Sequence, residues 1–176
     1  MIRISQLHLF PIKSLSPISV DEIEVEATGL MGDRRFMLVD VAGTFITQRT
    51  RPDLTRFRLK IHTDGFEVYD QLSGLKKVLK LLPDLLGQVQ VELWDDQLHV
   101  CEVGEGWSEW FSELLHEDVR LVMQLAHHPR IIAEKYQTIG SHQSSFADSL
   151  PILLASENSY AKVAEVYGKP FDYQRF

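Results

Sequence analysis

The sequence predicts an α+β, β-rich chain. A β-barrel-like N-terminal domain is expected over residues 1–125, followed by a connecting loop and a short α/β piece over 126–176. Three observations predict it. Apolar and polar residues alternate in at least four short segments between Ile2 and Cys101, the period of strands buried on one face. Turn-forming residues separate these segments at the spacing of a barrel or sandwich. A helical period appears only after Gly104. A length of 176 residues with 44% hydrophobic content supports one sizeable core, two small domains being the rival arrangement.

Ile2, Ile4, Leu7 and Leu9 form a first apolar segment, ended at Pro11 because proline cannot donate to a sheet ladder. Ile18, Val20, Ile23 and Val25 form a second, closed by Thr28-Gly29. Phe36–Asp40 and Thr44–Thr47 flank Val41-Ala42-Gly43, a connection whose glycine fits a hairpin. Phe57, Leu59 and Ile61 alternate with charged residues, turn at Asp64-Gly65 and return as Phe66–Tyr69. Val89, Val91 and Leu93 lead through Asp95-Asp96 into Leu98–Cys101.

Trp107, Trp110, Phe111, Leu114 and Leu115 share one face of a helix, expected to bury Trp107, Phe111 and Leu114. Val119–Leu125 reads as a strand, His127–Ser145 as a long polar loop, and Pro151–Ala155 as a further strand. Ser156 suits the N-cap of a second helix, in which Tyr160, Val163, Ala164 and Tyr167 share a face and which Gly168 can end.

Lys+Arg 18 against Asp+Glu 25 give a net charge of -7, which argues against general binding to nucleic acid or to an anionic membrane. Apolar runs of four to six residues are too short to span a bilayer, and the N-terminus lacks the pattern of a secretion signal. The expectation is a cytoplasmic protein. A single cysteine, Cys101, excludes an intramolecular disulfide or an all-cysteine metal site within this chain. Its strand position reads as a buried, inert thiol.

The phosphate-loop, dinucleotide-fingerprint, HExxH and nucleophile-elbow patterns are absent from the sequence. His127-His128 lacks an acidic partner at ligand spacing, so solvent-facing histidines are the simpler reading. What remains is polar residues where strands stop: Lys13-Ser14, Asp33-Arg34-Arg35 and Thr47-Gln48-Arg49-Thr50-Arg51. Loops at strand ends are where a rigid scaffold holds binding groups. Lysine neutralises a phosphate as a point charge, and arginine grips two oxygens at once. The plainer alternative is surface ion pairing with Asp33, Asp40 and Asp53.

Phe10–Ser14, Gly29–Val39 and Gly43–Arg49 together resemble the N-terminal β-barrel domain of the MOSC family, the proteins similar to the C-terminal part of molybdenum cofactor sulfurase. Ser145–Leu154, followed by Ser156–Ser159, is similar to the opening strand and helix of the MOSC domain itself. The resemblance implies a molybdenum-cofactor (molybdopterin) oxidoreductase, akin to the amidoxime-reducing members, that reduces N-hydroxylated small molecules. It implies that Lys13, Ser14 and Arg34 approach the pterin and its phosphate, and that the loop with Asp148 and Ser149 also reaches the cofactor. Arg34 is preferred to Arg35, and no cofactor contact is assigned to Thr47 or Arg49.

Family members continue through an Arg-Pro-Asn stretch to a cysteine that ligates molybdenum. The resemblance therefore implies that this chain is a fragment ending near Gln174-Arg175-Phe176, inactive alone, with an incomplete cofactor site and no catalytic or metal-ligating residue of its own. The remainder of the MOSC domain and a ferredoxin-type electron donor are the implied partners. Two other readings stay open: a MOSC-type sulfur-transfer protein, and a non-catalytic β-barrel module that binds anions or partners.

Overall fold

The computed structural model describes residues 3–137 and 142–169. Strands β1 (Leu7–Leu9) and β2 (Ile18–Val20) pair antiparallel, and β3 (Val25–Glu26) turns directly into β4 (Gly29–Leu30). The first strand is shorter than its apolar pattern: Ile4 is exposed, and Ile2 lies outside the described residues. Strand β5 (Phe36–Asp40) is buried on both faces. Phe36 and Leu38 enter one core while Met37 and Val39 enter a second.

Strands β6 (Phe57–His62), β7 (Gly65–Asp70) and β8 (Lys76–Lys80) make a three-stranded antiparallel sheet. Then β9 (Leu85–Leu93), β10 (Asp96–Val103) and β11 (Val119–Met123) join β5 in a four-stranded sheet of order β5-β11-β10-β9. Strands β12 (Arg130–Ile131) and β13 (Gln143–Ser144) pair within the expected polar loop.

The sheets do not close into a continuous barrel. Residues 44–46 come nearest to closing it, because Ile46 N–H donates to Leu38 O and Phe45 N–H to Glu92 O, linking the two edges of the four-stranded sheet. The second core (Met37, Val39, Val91, Leu93, Val100, Val122 and Phe146) fills the space so enclosed. Gly43 makes the approach possible. Its φ is +88°, and a Cβ there would stand 2.7 Å from Gln90 O.

Helix α1 (Trp107–Leu115) covers the other face of the sheet, with Trp107 and Phe111 fully buried and the Phe111 ring packed between Phe57 and Trp107. Leu115 takes the buried place expected for Leu114, which is only half-buried. Helix α2 (Glu157–Tyr167) starts where Ser156 Oγ accepts the Ser159 N–H at 3.1 Å, and stops at Gly168. None of its residues is buried.

Pro151–Ala155 differs from expectation. It makes no strand pairing, and Leu153 and Leu154 are exposed. A strand needs a neighbour for its N–H and C=O groups, and the described residues offer this segment none. No helix among the described residues is long and apolar enough to cross a membrane.

Candidate functional site

Residues 10–13 are stitched to residues 34–36. Arg34 N–H donates to Phe10 O at 2.7 Å, Phe36 N–H to Pro11 O at 3.1 Å and Lys13 N–H to Phe36 O at 2.8 Å. Two motifs far apart in sequence therefore emerge together at one end of β5. Ser14 (φ 67°) and Arg34 (φ 48°) both adopt left-handed backbone, uncommon for residues other than glycine and often found at binding sites. Asp33 braces the junction from beneath, accepting the Phe10 N–H at 2.8 Å and pairing with Arg34 Nη1. Burial pushes the Asp33 carboxyl above its ordinary range, and Arg34 opposes that shift.

Lys13 is 4% exposed, unusual for an ammonium. Its Nζ donates to Phe146 O at 2.9 Å and to Asp148 Oδ1. Burial lowers the Lys13 pKa below 10.5; Asp148 resists, while Arg34 and Arg130 push it further down. The Asp148 side chain is 57% exposed. Burial raises its carboxyl, but Lys13 outweighs that with help from Arg49 and Arg34, and the group ends below its ordinary value. Lys13 thus pairs directly with the Asp148 carboxylate, Arg34 and Arg49 act on that carboxylate through their charge, and Arg130 acts on Lys13. Ser149 follows Asp148 and is exposed.

Two participants were not assigned from sequence. Arg130 sits in what reads as featureless loop, yet it is buried. Its Nε donates to Asp96 at 2.5 Å and its Nη1 to Ala147 O at 2.5 Å, which fixes the backbone beside Asp148. Arg49 stands on a loop tied to the first motif, because Gln48 Nε2 donates to Ser14 O at 2.9 Å. The strand-end pattern in the sequence includes Arg49 without assigning it a cofactor contact; nothing local marks Arg130.

Arg51 follows the plainer alternative and pairs with Asp53 and Glu117. Arg35 lines a cleft of about 240 Å³ with Glu26, Thr28, Gln124 and Gln143, a cleft that includes none of Lys13, Ser14, Arg34 and Asp148. The exposed His127 and His128 rings lie 4.5 Å apart, and no group of three His, Cys, Asp or Glu residues suited to a metal occurs among the described residues. Cys101 is 7% exposed in β10, opposite Met123.

This donor set suits the phosphate end of a pterin cofactor. It combines a desolvated ammonium, guanidiniums and the Ser14 hydroxyl on a rigid strand end. The described residues supply no matching set for the metal end, and Gln174-Arg175-Phe176 lie outside them.

Residues 1–118 match the family model described as the MOSC N-terminal beta barrel domain. The chain is 26% identical over 175 residues to mitochondrial amidoxime reducing component 2 of Bos taurus, covering 90% of this chain and 49% of that protein. It is 26% identical over 177 residues to human mitochondrial amidoxime-reducing component 1, covering 90% and 49%. To the molybdenum cofactor sulfurase of Danio rerio it is 29% identical over 126 residues, covering 69% of this chain and 15% of that protein. The chain therefore spans about half the length of the amidoxime reducing components and far less of the sulfurase. With the family model matching well over half its length, the chain belongs to the MOSC N-terminal beta barrel family.

Proposed function

We propose that this chain binds the phosphate and pterin of a molybdenum cofactor on behalf of an oxidoreductase that reduces N-hydroxylated compounds. The observation that carries the proposal is the buried Lys13 ammonium, grouped with Arg34, Arg49 and Asp148 at one end of the sheet. Keeping a lysine almost out of water is costly unless an anion or a dense set of acceptors repays it. Here the Phe146 carbonyl and one half-exposed carboxylate do that work, and Arg34 and Arg49 add cationic capacity for a dianion.

In this proposal Lys13, Ser14 and Arg34 hold the phosphate. Asp148 cannot share that task, because a carboxylate repels a phosphate. Its free lone pairs suit the N–H groups of a pterin ring, with Ser149 beside it as a hydroxyl partner. When bound, the cofactor supplies the redox chemistry; these residues bind and orient it. The remainder of the MOSC domain supplies the other wall of the site, and a ferredoxin-type donor supplies electrons.

Equilibrium titration of the 176-residue chain with a pterin phosphate monoester tests the proposal. Saturable binding is expected, weakened roughly ten- to a hundredfold in Arg34→Ala, the loss of one or more charge-assisted hydrogen bonds. A parent chain that does not bind the ester overturns it.

A further inference from the structure

Arg49 is the cation of this site that the hydrogen-bond network does not use. Lys13, Arg34 and Arg130 each donate to a carboxylate or a carbonyl. Among the described residues the Arg49 guanidinium donates to none, although it lies within electrostatic range of Asp148.

It is held all the same. The guanidinium lies 4.8 Å from the centre of the Trp94 ring, and that ring leans on Phe45 with centroids 4.9 Å apart. Stacking occupies the flat face of a guanidinium and leaves its N–H edge free to grip two oxygens.

Both supports are fixed to the site from behind. Thr47 is buried, and its Oγ1 accepts the Arg49 N–H at 3.2 Å, while neighbouring Gln48 donates to Ser14 O. Trp94 stands in the turn between β9 and β10 with φ 57°, a strained backbone for a bulky residue. Asp96, the first residue of β10 after that turn, is gripped by the same Arg130 that donates to Ala147 O. The turn carrying Trp94 is thus tied to the loop carrying Asp148, and the loop carrying Arg49 to the one carrying Ser14.

We propose that Arg49 is an anion-binding residue of this site and Trp94 its positioning residue, together presenting a pre-oriented clamp for the phosphate of a phosphate monoester. This rests on the reading of Lys13, Ser14 and Arg34 as a phosphate site, and adds two residues to it. A free guanidinium held by an aromatic face loses little freedom on binding, so it adds affinity rather than fold stability.

The test is calorimetric titration of the 176-residue chain with inorganic phosphate and, separately, with phenyl phosphate. Arg49→Ala is expected to weaken phenyl phosphate binding roughly tenfold or more, with Arg49→Lys intermediate because an ammonium cannot bridge two oxygens. Trp94→Ala should weaken it roughly three- to tenfold, and Trp94→Phe should restore most of the loss, since any aromatic face can carry the guanidinium. Urea midpoints should stay unchanged in both Arg49 variants, which separates binding from folding.

Full affinity in Arg49→Ala alongside lost affinity in Arg34→Ala overturns the proposal and leaves the phosphate site standing. No binding by the parent overturns both. Equal losses in Trp94→Phe and Trp94→Ala remove the positioning role. Tighter binding of the free ion than of the ester overturns the monoester assignment.

Discussion

Replacing Lys13 with methionine separates what the residue does for the fold from what it does for the site. The ammonium is 4% exposed, and an effective desolvation penalty of several kcal/mol attends such burial. Against it stand two charge-assisted hydrogen bonds, to Phe146 O and Asp148, worth about 1.5–3 kcal/mol each. The second is discounted because the Asp148 side chain is 57% exposed. The two sides nearly cancel.

Methionine keeps the length and removes the charge, but leaves the Phe146 carbonyl without its partner, at about 1–3 kcal/mol. Stability is therefore expected to fall by no more than about 3 kcal/mol, read as a urea midpoint at constant slope. Phosphate binding should be lost. The pH dependence has a definite sign. Because burial sets the folded pKa of Lys13 below 10.5, its contribution is fully present above 10.5 and lost as pH falls through the folded value. The parent chain should therefore gain on Lys13→Met as pH rises from neutral toward 10.5. A loss above about 3 kcal/mol at neutral pH would refute the reasoning, making Lys13 a structural ion-pair partner.

Three further outcomes follow from the packing and the charges. Phe111→Ala should cost about 3–5 kcal/mol in urea unfolding, since the ring is fully buried against Phe57, Trp107 and Trp110. Gly43→Ala should cost about 2 kcal/mol or more, because its φ of +88° and the 2.7 Å approach to Gln90 O both exclude a Cβ. Asp148→Asn should be less stable than the parent above pH 4 by an amount that shrinks as pH falls below 3.8. The folded carboxyl titrates below that value, so its stabilisation is lost on the acid side, which acid titration of both proteins reads directly.

Much of the architecture is written locally. The alternation of β6 and β7 and the aromatic face of α1 each carry their own period, and each forms where that period places it, whereas around Gly43 the first arm forms as β5 and Thr44 and Phe45 make only isolated bridges. Strand β8 escapes such a reading because Lys76, Lys77 and Lys80 mask the apolar Val78 and Leu79, and only pairing with β7 defines it. Pro151–Ala155 shows the reverse case, a strand-like composition without a neighbour.

The site divides along the same line. Lys13, Ser14 and Arg34 stand next to strand ends that the sequence marks. Arg130 acts through Asp96, 34 residues away, and Ala147, 17 residues away, contacts that only the folded chain creates. Trp94 likewise gains meaning only when the turn between β9 and β10 meets the Arg49 loop.

The most direct test of the phosphate site is amide chemical-shift mapping of the isotopically labelled chain during titration with inorganic phosphate. A phosphate site there should give saturable shifts concentrated at Lys13, Ser14, Arg34 and Arg49. Shifts confined to the cleft at Arg35 and Gln124, or no saturable shift at all, would contradict it.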